Sequence, residues 1–375
     1  MTVEAVQPRG SPAPQARQPR GVGPRPAPQE REPDLILALD LGASRIRAAA
    51  VDPTGQLRAR RERETPVREG PAAVLAAALA LLRAVRDGLP APERDRLVAL
   101  GIAAPGPLDP RSGVLLEPPN LGSAFRDMPL AGPLEAALGL PAVLERDTHV
   151  AALAEHAYGA ARGVDDFVYL TVSTGIGGAI VAGGRLFAGP DGLGGELGHL
   201  SVEIEGPPCG CGGRGHLEAI ASGTGIVRAA RAAIERGAAP TLARLSAATG
   251  PRGLDARAVA EAEAAGDAAA TAIMEHARQA FASALVGIVD VLTPRRIVVG
   301  GSLAQGQGER LLGPARARVA EEAFRRPAAR VSIVPAALGD DVGLAGAIPL
   351  LAGDLQVLVD RGPLIAPADP GRPAT

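Results

Sequence analysis

The sequence has 375 residues, enough for two packed domains or for one domain built of two lobes with a cleft between them. Its 39 basic and 41 acidic residues give a net charge of -2, so the chain has no basic field that would attract nucleic acid or an anionic membrane. Every basic residue is arginine. This excludes a lysine-containing phosphate loop and Schiff-base or pyridoxal-phosphate chemistry. The composition favours work on a small molecule.

The cysteines and the apolar runs bear on the compartment. Only Cys209 and Cys211 occur, so there is no disulfide framework of the secreted kind, and a reducing cytoplasm is the simpler expectation. The longest apolar runs, such as residues 72–82, are too short to span a bilayer. We therefore expect a soluble, cytoplasmic protein without a membrane or nucleic-acid partner.

Order is expected to begin at Asp34. Residues 1–33 contain eight prolines and no apolar period, which predicts a disordered tail, and the residues from about Pro363 are similar. Periodicity predicts helices over 72–85, 148–158, 219–236, 256–291 and 309–324. Buried strands are predicted over 35–39, 46–51, 97–103, 142–145, 167–172, 179–182, 296–299 and 331–334. The fold class is therefore α/β with mixed sheets.

One strand-and-turn pattern occurs twice. A strand ending before Asp40 leads into a hairpin, and the strand 167–172 leads into a second hairpin through the loop 173–178. Backbone N–H groups in such glycine-rich turns can bind phosphate, and the Thr174 hydroxyl adds a donor. Asp40 could then hold Mg²⁺, directly or through water. The alternative is that both stretches are ordinary hairpin turns.

Four candidate metal ligands lie within 18 residues: His199, Cys209, Cys211 and His216. Two of only five histidines bracket the only two cysteines, and these side chains suit tetrahedral zinc. The alternative is a surface loop with two free thiols.

Asp147 lies between a predicted strand that ends at Glu145 and a helix that begins at about Thr148. Its carboxylate could be a helix N-cap, since Asp is among the best capping residues. It could also be a general base, because a helix N-terminus keeps a carboxylate ionised and able to accept a proton. The two interpretations are compatible.

In this order the motifs resemble those of the ROK family of repressors and sugar kinases, within the two-lobed actin and hexokinase type (ribonuclease H-like) of ATPase fold. The resemblance covers about residues 34–353. The segment Asp40-Leu41-Gly42-Ala43-Ser44-Arg45 resembles the phosphate motif D-x-G-G-T-K, and 173–178 resembles G-T-G-I-G-G. Residues 196–199 with Cys209, Cys211 and Glu218 resemble the signature E-x-G-H followed by C-x-C-G-x-x-G-C-x-E.

The resemblance implies a role for each matched residue. Asp147 matches the catalytic aspartate of the E-N-D-x-N stretch, and His199 would bind a structural zinc with one nitrogen while facing the sugar. Sugar-site residues would be Gly106, Asn120, Arg146, Glu196, His199 and Glu218. ATP and Mg²⁺ would be held by Asp40, Gly42, Ser44, Arg45, Thr174, Gly175, Gly177, Gly300 and Gly301. Zinc would be held by His199, Cys209, Cys211 and His216.

Several positions depart from the family pattern. In the two phosphate motifs the changes are mild, at Ala43, Ser44, Arg45 and Ser173. Three further changes lie at the expected sugar and zinc sites. Arg146 and His149 replace the two asparagines around Asp147, and His216 replaces a zinc cysteine, which leaves a chemically sound Cys₂His₂ set. Because the family asparagine before the base contacts the sugar, Arg146 leaves the identity of the sugar open.

The resemblance also implies a domain organisation. We expect an N-terminal lobe over 34–146, a larger lobe with the zinc loop over 147–339, a C-terminal helix over 340–353 that packs back on the first lobe, and a second tail over 354–375.

The expected activity is phosphorylation of a hexose by ATP, with glucose as the first candidate and a homodimer as the assembly. N-acetylglucosamine, N-acetylmannosamine, fructose and allose are alternative acceptors, and polyphosphate an alternative donor. A sugar-binding regulator of the same family is a rival. The 33 residues before Asp34 are too few and too polar for the winged helix-turn-helix that such regulators carry. A kinase-like binding protein without activity is the third possibility.

Overall fold

The computed structural model describes residues 34–249 and 253–352, so the two predicted tails, 1–33 and 354–375, lie outside the described residues. The strands are β1 (Leu35–Leu41), β2 (Arg45–Val51), β3 (Leu57–Glu64), β4 (Leu97–Ala104), β5 (Leu108–Asp109), β6 (Val114–Leu115), β7 (Met128–Pro129), β8 (Ala142–Arg146), β9 (Phe167–Val172), β10 (Ile176–Ala182), β11 (Arg185–Leu186), β12 (Arg296–Gly300) and β13 (Ser332–Pro335).

The helices are α1 (Pro71–Asp87), α2 (Ala91–Arg94), α3 (Ala131–Leu138), α4 (Asp147–Ala157), α5 (Leu217–Ala221), α6 (Gly223–Glu235), α7 (Pro240–Thr249), α8 (Ala256–Ala264), α9 (Ala268–Leu292), α10 (Ser302–Gln307), α11 (Glu309–Glu322), α12 (Arg325–Ala328), α13 (Val342–Ala345) and α14 (Ala347–Ala352). Short 3₁₀ helices cover Val67–Glu69, Ser123–Phe125, Leu197–His199 and Gly339–Asp341. Within the described ranges, no helix combines the length and the apolar character needed to cross a membrane.

Two five-stranded sheets form the framework. The first has the order β3-β2-β1-β4-β8, with antiparallel pairing of β1 to β2 and of β2 to β3, and parallel pairing of β1 to β4 and of β4 to β8. The second has the order β11-β10-β9-β12-β13 and the same sequence of antiparallel and parallel pairs. A small antiparallel sheet contains β5, β6 and β7.

The central strand β1 is apolar from Leu35 to Leu39 because both of its faces are covered. Leu37 and Leu39 pack in a cluster with the buried face of α1, while Ile36 and Ala38 pack in a cluster with Leu344 of α13 and with α14. This double burial explains the continuous apolar run, which is typical of a strand covered on both sides. Asp40 follows this run, one residue before the end of β1.

Two predicted helices are each divided in the structure. The predicted helix 219–236 is interrupted at Ser222, whose buried hydroxyl accepts a hydrogen bond from the Gly225 N–H (3.0 Å) and caps α6. The predicted helix 256–291 is interrupted after α8, where Gly266 has a φ of +85° and Asp267 caps α9 through the Ala270 N–H (2.8 Å). Local capping therefore overrides the apolar period.

Candidate active site

The carboxyl ends of three parallel strands meet at one edge of the first sheet. Asp40, near the end of β1, pairs with Ala103 of β4, and Arg146, at the end of β8, pairs with Ala104 of the same strand. Asp147 follows directly and begins α4. The register therefore places the proposed base and the proposed magnesium ligand at the same edge.

Asp147 is the first residue of its helix and not the N-cap. The helix begins one residue earlier than predicted, the N-cap is Arg146, and no side chain caps the helix start. The Asp147 Oδ1 atom accepts the N–H of the next residue, Thr148, at 2.7 Å. The capping interpretation of this carboxylate is therefore not what the structure shows.

The surroundings of Asp147 suit proton transfer near neutral pH. Burial and the neighbouring charge of Asp40 raise its pKa to about 6. Arg146 and the Thr148 N–H act in the opposite direction, and Glu196 adds a smaller upward effect. A carboxylate with this pKa is mostly ionised at neutral pH, yet it is more basic than an ordinary aspartate.

Asp40 is paired with an arginine that the sequence reasoning missed. Arg47 of β2 lies directly opposite Asp40 in the strand register, and its Nη1 donates to the Asp40 Oδ2 at 3.1 Å. Burial raises the pKa of Asp40, while Arg47 lowers it. Gly343 of α13 lies against this carboxylate, since a Cβ there would be 2.9 Å from the Asp40 Cγ.

The turn between β1 and β2 is tied down by Thr65. The Gly42 N–H donates to the Arg45 carbonyl (2.9 Å), the Thr65 hydroxyl to the Gly42 carbonyl (2.6 Å), and the Thr65 N–H to the Ser44 carbonyl (3.0 Å). The Arg45 side chain is 58% exposed and pairs with Glu62 at 2.6 Å. Arg47, and not Arg45, is the arginine in contact with Asp40.

The second sheet brings two glycine-rich turns together at its own edge. Gly300 ends β12, and the Ser302 N–H just beyond it donates to the Ser173 hydroxyl at 2.9 Å. Gly301 has a φ of +94°, and a Cβ there would lie 2.5 Å from the Val172 carbonyl oxygen. Only glycine allows this close approach of the two turns.

The strand β10, which follows the turn at 173–175, also contacts the helix that begins with Asp147. A Cβ on Gly177 would lie 2.7 Å from the Thr148 Cγ2, so the start of β10 packs against the first turn of α4. The Thr174 carbonyl accepts the N–H and the hydroxyl of Thr224 (3.1 and 2.9 Å), while the Thr174 side chain is exposed.

Glu218 lies beneath the same turn. Its Oε2 accepts the Ile176 N–H at 2.9 Å, and a Cβ on Gly175 would lie 2.6 Å from that oxygen and 3.9 Å from the Asn120 Nδ2. Two of the residues predicted to contact sugar, Glu218 and Asn120, are therefore close to the predicted phosphate turn.

Glu196 connects the Asp147 region with the predicted metal loop. Its Oε1 lies 2.6 Å from the Arg146 Nη2, and its Oε2 lies 3.9 Å from the His199 Nε2. The Arg146 side chain is only 3% exposed. A Cβ on Gly106 would lie 3.3 Å from the Arg146 Nε, so the glycine leaves room for this guanidinium.

The four predicted metal ligands converge. One donor atom from each of His199, Cys209, Cys211 and His216 lies within 4.8 Å of the others. The Cys209 Sγ is 3.7 Å from the His199 Nδ1, and the Cys211 Sγ is 3.2 Å from the His216 Nδ1. Two sulfur and two imidazole donors in such a set fit tetrahedral zinc. The Nδ1 of His199 faces this set, while its Nε2 faces Glu196.

Comparison with known proteins gives the family. The model of the ROK family matches residues 36–353. A curated glucokinase of Thermotoga maritima is 33% identical over 316 residues, which cover 84% of this chain and 96% of that enzyme. A curated N-acetylmannosamine kinase of Citrobacter koseri is 35% identical over 319 residues, which cover 85% of this chain and 99% of that enzyme.

Solved structures agree. A ROK hexokinase from Thermus thermophilus is 35% identical, with a TM-score of 0.67 over 84% of this chain and 97% of that one. A ROK family glucokinase from Streptomyces griseus in complex with glucose and AMPPNP is 30% identical, with a TM-score of 0.71 over 84% and 98%. The predicted α/β fold of the actin and hexokinase type is thereby confirmed. The chain belongs to the ROK family and, as its sequence predicts, is a sugar kinase by class.

Proposed function

We propose that this chain transfers the γ-phosphoryl group of ATP to a hexose hydroxyl, with glucose as the first candidate, glucose 6-phosphate as the product and Asp147 as the general base. The observation that supports this most strongly is the position of Asp147. Its pKa of about 6 arises at a sheet edge that also carries Asp40, and Glu196 reaches the same carboxylate electrostatically. The S. griseus glucokinase with bound glucose and AMPPNP shows that a relative of this fold holds both classes of ligand.

The proposed step is an in-line displacement. Asp147 accepts the proton of the sugar hydroxyl as that oxygen forms its bond to the γ-phosphorus, and the bond from phosphorus to the β–γ bridging oxygen breaks to leave ADP. Bound Mg²⁺ would neutralise charge on the β and γ oxygens, and Asp40 would hold it. The N–H groups around Gly42 and Gly175, with the Thr174 hydroxyl, would bind the phosphate oxygens.

The sugar would be held by the second set of residues. The Glu196 and Glu218 carboxylates would accept hydrogen bonds from its hydroxyls, and the Asn120 amide would donate or accept one. The Nε2 of His199 faces the same region through Glu196. Zinc at the four-ligand set would fix the orientation of the His199 ring, which is a structural use of the metal. The homodimer and the cytoplasmic location that the sequence suggests are further proposals.

Two relatives differ in the acceptor that their names give, glucose in one and N-acetylmannosamine in the other. The glucokinase and the N-acetylmannosamine kinase named above are about equally similar to this chain, at 33% and 35% identity. A panel of glucose, N-acetylglucosamine, N-acetylmannosamine, fructose and allose, assayed with ATP or polyphosphate, tests the proposal through sugar-dependent release of ADP or sugar phosphate. We expect the highest kcat/KM for glucose with ATP.

The outcomes of this panel are distinct. A higher kcat/KM for another sugar would replace glucose but retain the kinase. Sugar binding by calorimetry with no phosphorylated product from any pair of donor and acceptor would overturn the proposed activity in favour of a sugar-binding regulator or an inactive binding protein.

A further inference from the structure

Two buried side chains, one at the end of β8 and one on the first turn of α4, converge on a single backbone carbonyl. The Arg146 Nη1 donates to the Gly194 carbonyl at 3.0 Å, and the His149 Nε2 lies 3.3 Å from the same oxygen. The two side chains also lie 3.4 Å apart, from the Arg146 Nη1 to the His149 Nε2. Arg146 is 3% exposed and His149 is fully buried.

The carbonyl belongs to a loop with unusual backbone freedom. Residues 189–195 contain four glycines, of which Gly189, Gly192 and Gly195 have positive φ values of +68°, +74° and +90°. Glycine loses more conformational freedom on ordering than any other residue, so this loop needs contacts from outside to hold one shape. The loop leads directly into Glu196.

Arg146 supplies several of these contacts at once. Its Nη1 also donates to the Gly192 carbonyl (3.2 Å), and its Nη2 pairs with the Glu196 Oε1 (2.6 Å). The guanidinium therefore bridges both the loop and the first residue after it. Because protein acceptors occupy its two terminal nitrogens, Arg146 is poorly placed to serve the sugar itself, unlike the family asparagine that it replaces.

His149 is held from its other side by Glu145. The Glu145 Oε1 lies 3.1 Å from the His149 Nδ1 and also accepts the Arg146 N–H at 2.9 Å. The Glu145 side chain is only 6% exposed. These contacts extend from the end of β8 through the imidazole to the Gly194 carbonyl.

We propose that Arg146 and His149 form one coupled positioning unit, which we call the loop clamp. The loop clamp holds residues 189–195 and Glu196 in a fixed position relative to Asp147 at the start of α4. The two replacements around the base are in this view interdependent, because both lie against the Gly194 carbonyl and they contact each other. The clamp rests on the proposed function for its effect on catalysis. Its effect on sugar binding can be measured separately.

The first test is a substitution that keeps the charge. Arg146→Lys retains a cation for Glu196 but cannot donate to three acceptors in a fixed fork. We expect the sugar KM and the sugar Kd to rise about tenfold, which corresponds to one lost charged hydrogen bond, with kcat changed less than about threefold. The matched control is Arg278→Lys. Arg278 pairs with the buried Glu263 (2.6 Å) and does not belong to the clamp.

The second test separates the two nitrogens of His149. The amide of Asn ends about where the imidazole Nδ1 lies, whereas the amide of Gln reaches about as far as the Nε2. His149→Asn should keep the Glu145 contact and lose the contacts of the Nε2 with the Gly194 carbonyl and the Arg146 Nη1, and His149→Gln should do the reverse. We expect His149→Asn to raise the sugar KM about threefold, as for a neutral hydrogen bond, and His149→Gln to raise it less.

The double variant decides whether the two residues act together. For a coupled pair, Arg146→Lys with His149→Asn should raise the sugar KM about tenfold, no more than the arginine change alone, whereas independent residues would give about thirtyfold. An unchanged KM in Arg146→Lys, a full multiplication in the double variant, or a better result for His149→Asn than for His149→Gln would overturn the clamp. If the wild-type protein phosphorylates no sugar, the activity proposal fails alone, and the sugar Kd of the same variants still decides the clamp.

Discussion

The two five-stranded sheets have the same strand plan but present different chemistry at corresponding edges. In each, an antiparallel meander is followed by two strands parallel to the central one. In the first sheet, Asp40 lies near the end of the central strand, beside Arg47, and the outermost parallel strand ends at Arg146, just before Asp147. The second sheet ends in Ser173, Thr174 and the glycines of two touching turns, with no charge in either turn.

The comparison separates two contributions: the strand plan sets where the turns lie, and the side chains in the turns set their chemistry. Strand register brings the turns to one edge in both sheets. In the first sheet, buried charges then act on one another, and the pKa values of Asp40 and Asp147 are raised. In the second sheet, neutral hydroxyls and N–H groups offer hydrogen bonds without titrating. We expect substitutions in the first sheet to change kcat and its pH dependence, and those in the second to change nucleotide binding alone.

The largest effect is expected for Asp147→Asn. The amide cannot accept the proton of the sugar hydroxyl, so kcat should fall about a thousandfold while the sugar Kd changes little. Because the pKa of Asp147 is raised in the folded protein, its charge destabilises the fold at neutral pH, and the neutral variant should unfold at a higher temperature. Sugar-dependent ADP release, calorimetry and thermal unfolding measure the three quantities.

The matched control is Asp255→Asn, which changes an aspartate that caps α8 through the Ala258 N–H (2.8 Å). Asparagine caps helices about as well, so this variant should keep full activity. A fully active Asp147→Asn enzyme would refute the assignment of the base.

The next effect concerns Asp40. Asp40→Asn removes the carboxylate proposed to hold Mg²⁺, so kcat should fall about a hundredfold, and more Mg²⁺ should be needed for half-maximal rate. Asp52→Asn is the control, since Asp52 lies at the far end of the same hairpin and accepts hydrogen bonds from Thr54 and Arg58. An unchanged Mg²⁺ dependence in Asp40→Asn would separate Asp40 from the metal.

Loss of the metal should weaken sugar binding and leave the chemistry at Asp40 and Asp147 unchanged. Elemental analysis should find about one zinc ion per chain, as one tetrahedral set requires. His216→Ala should lower the zinc content and raise the sugar KM about tenfold, because His199 loses its fixed orientation. His276→Ala changes an exposed histidine outside the set and should alter neither quantity. Zinc-free protein with the wild-type sugar KM would contradict the proposed role of the metal.

The pH dependence of kcat/KM tests the proposed interaction between the Asp40 and Asp147 carboxylates. Only ionised Asp147 can accept a proton, so kcat/KM should be constant above its pKa of about 6 and fall tenfold for each pH unit below it. The Asp40 charge raises this pKa. The residual activity of Asp40→Asn should therefore show its acid limb at lower pH than the wild type. An acid limb that stays in place would mean that another group titrates.

The sequence predicts most of the site features that depend on the positions of the strands. Apolar runs locate the strands, and the residues after them, Asp40 and Asp147, follow from where those runs end. The helix breaks at Ser222 and Gly266 are harder to predict, because a cap interrupts an apolar period that continues on both sides of it.

The contacts of the arginine side chains are not predicted, because they depend on which way each side chain points. Arg45 matches the motif position, yet Arg47 reaches Asp40, because residues opposite each other on paired strands share one face. The strand pairing would have given this signal had the register been known. The inward turn of Arg146 depends on Gly106 and on carbonyls about 46 residues away, which no local pattern describes.

The smallest effect is expected at the uncharged turns of the second sheet. Thr174→Ala removes one exposed hydroxyl proposed to donate to phosphate, so the ATP KM should rise about threefold to fivefold, the usual cost of a neutral hydrogen bond. Thr174→Ser keeps the hydroxyl and should restore the wild-type KM. Neither variant should move the acid limb of kcat/KM, because Thr174 carries no charge that could reach Asp147. A shifted limb in Thr174→Ala would show that the two edges are electrostatically coupled and that their chemistry is not divided as the strand plan suggests.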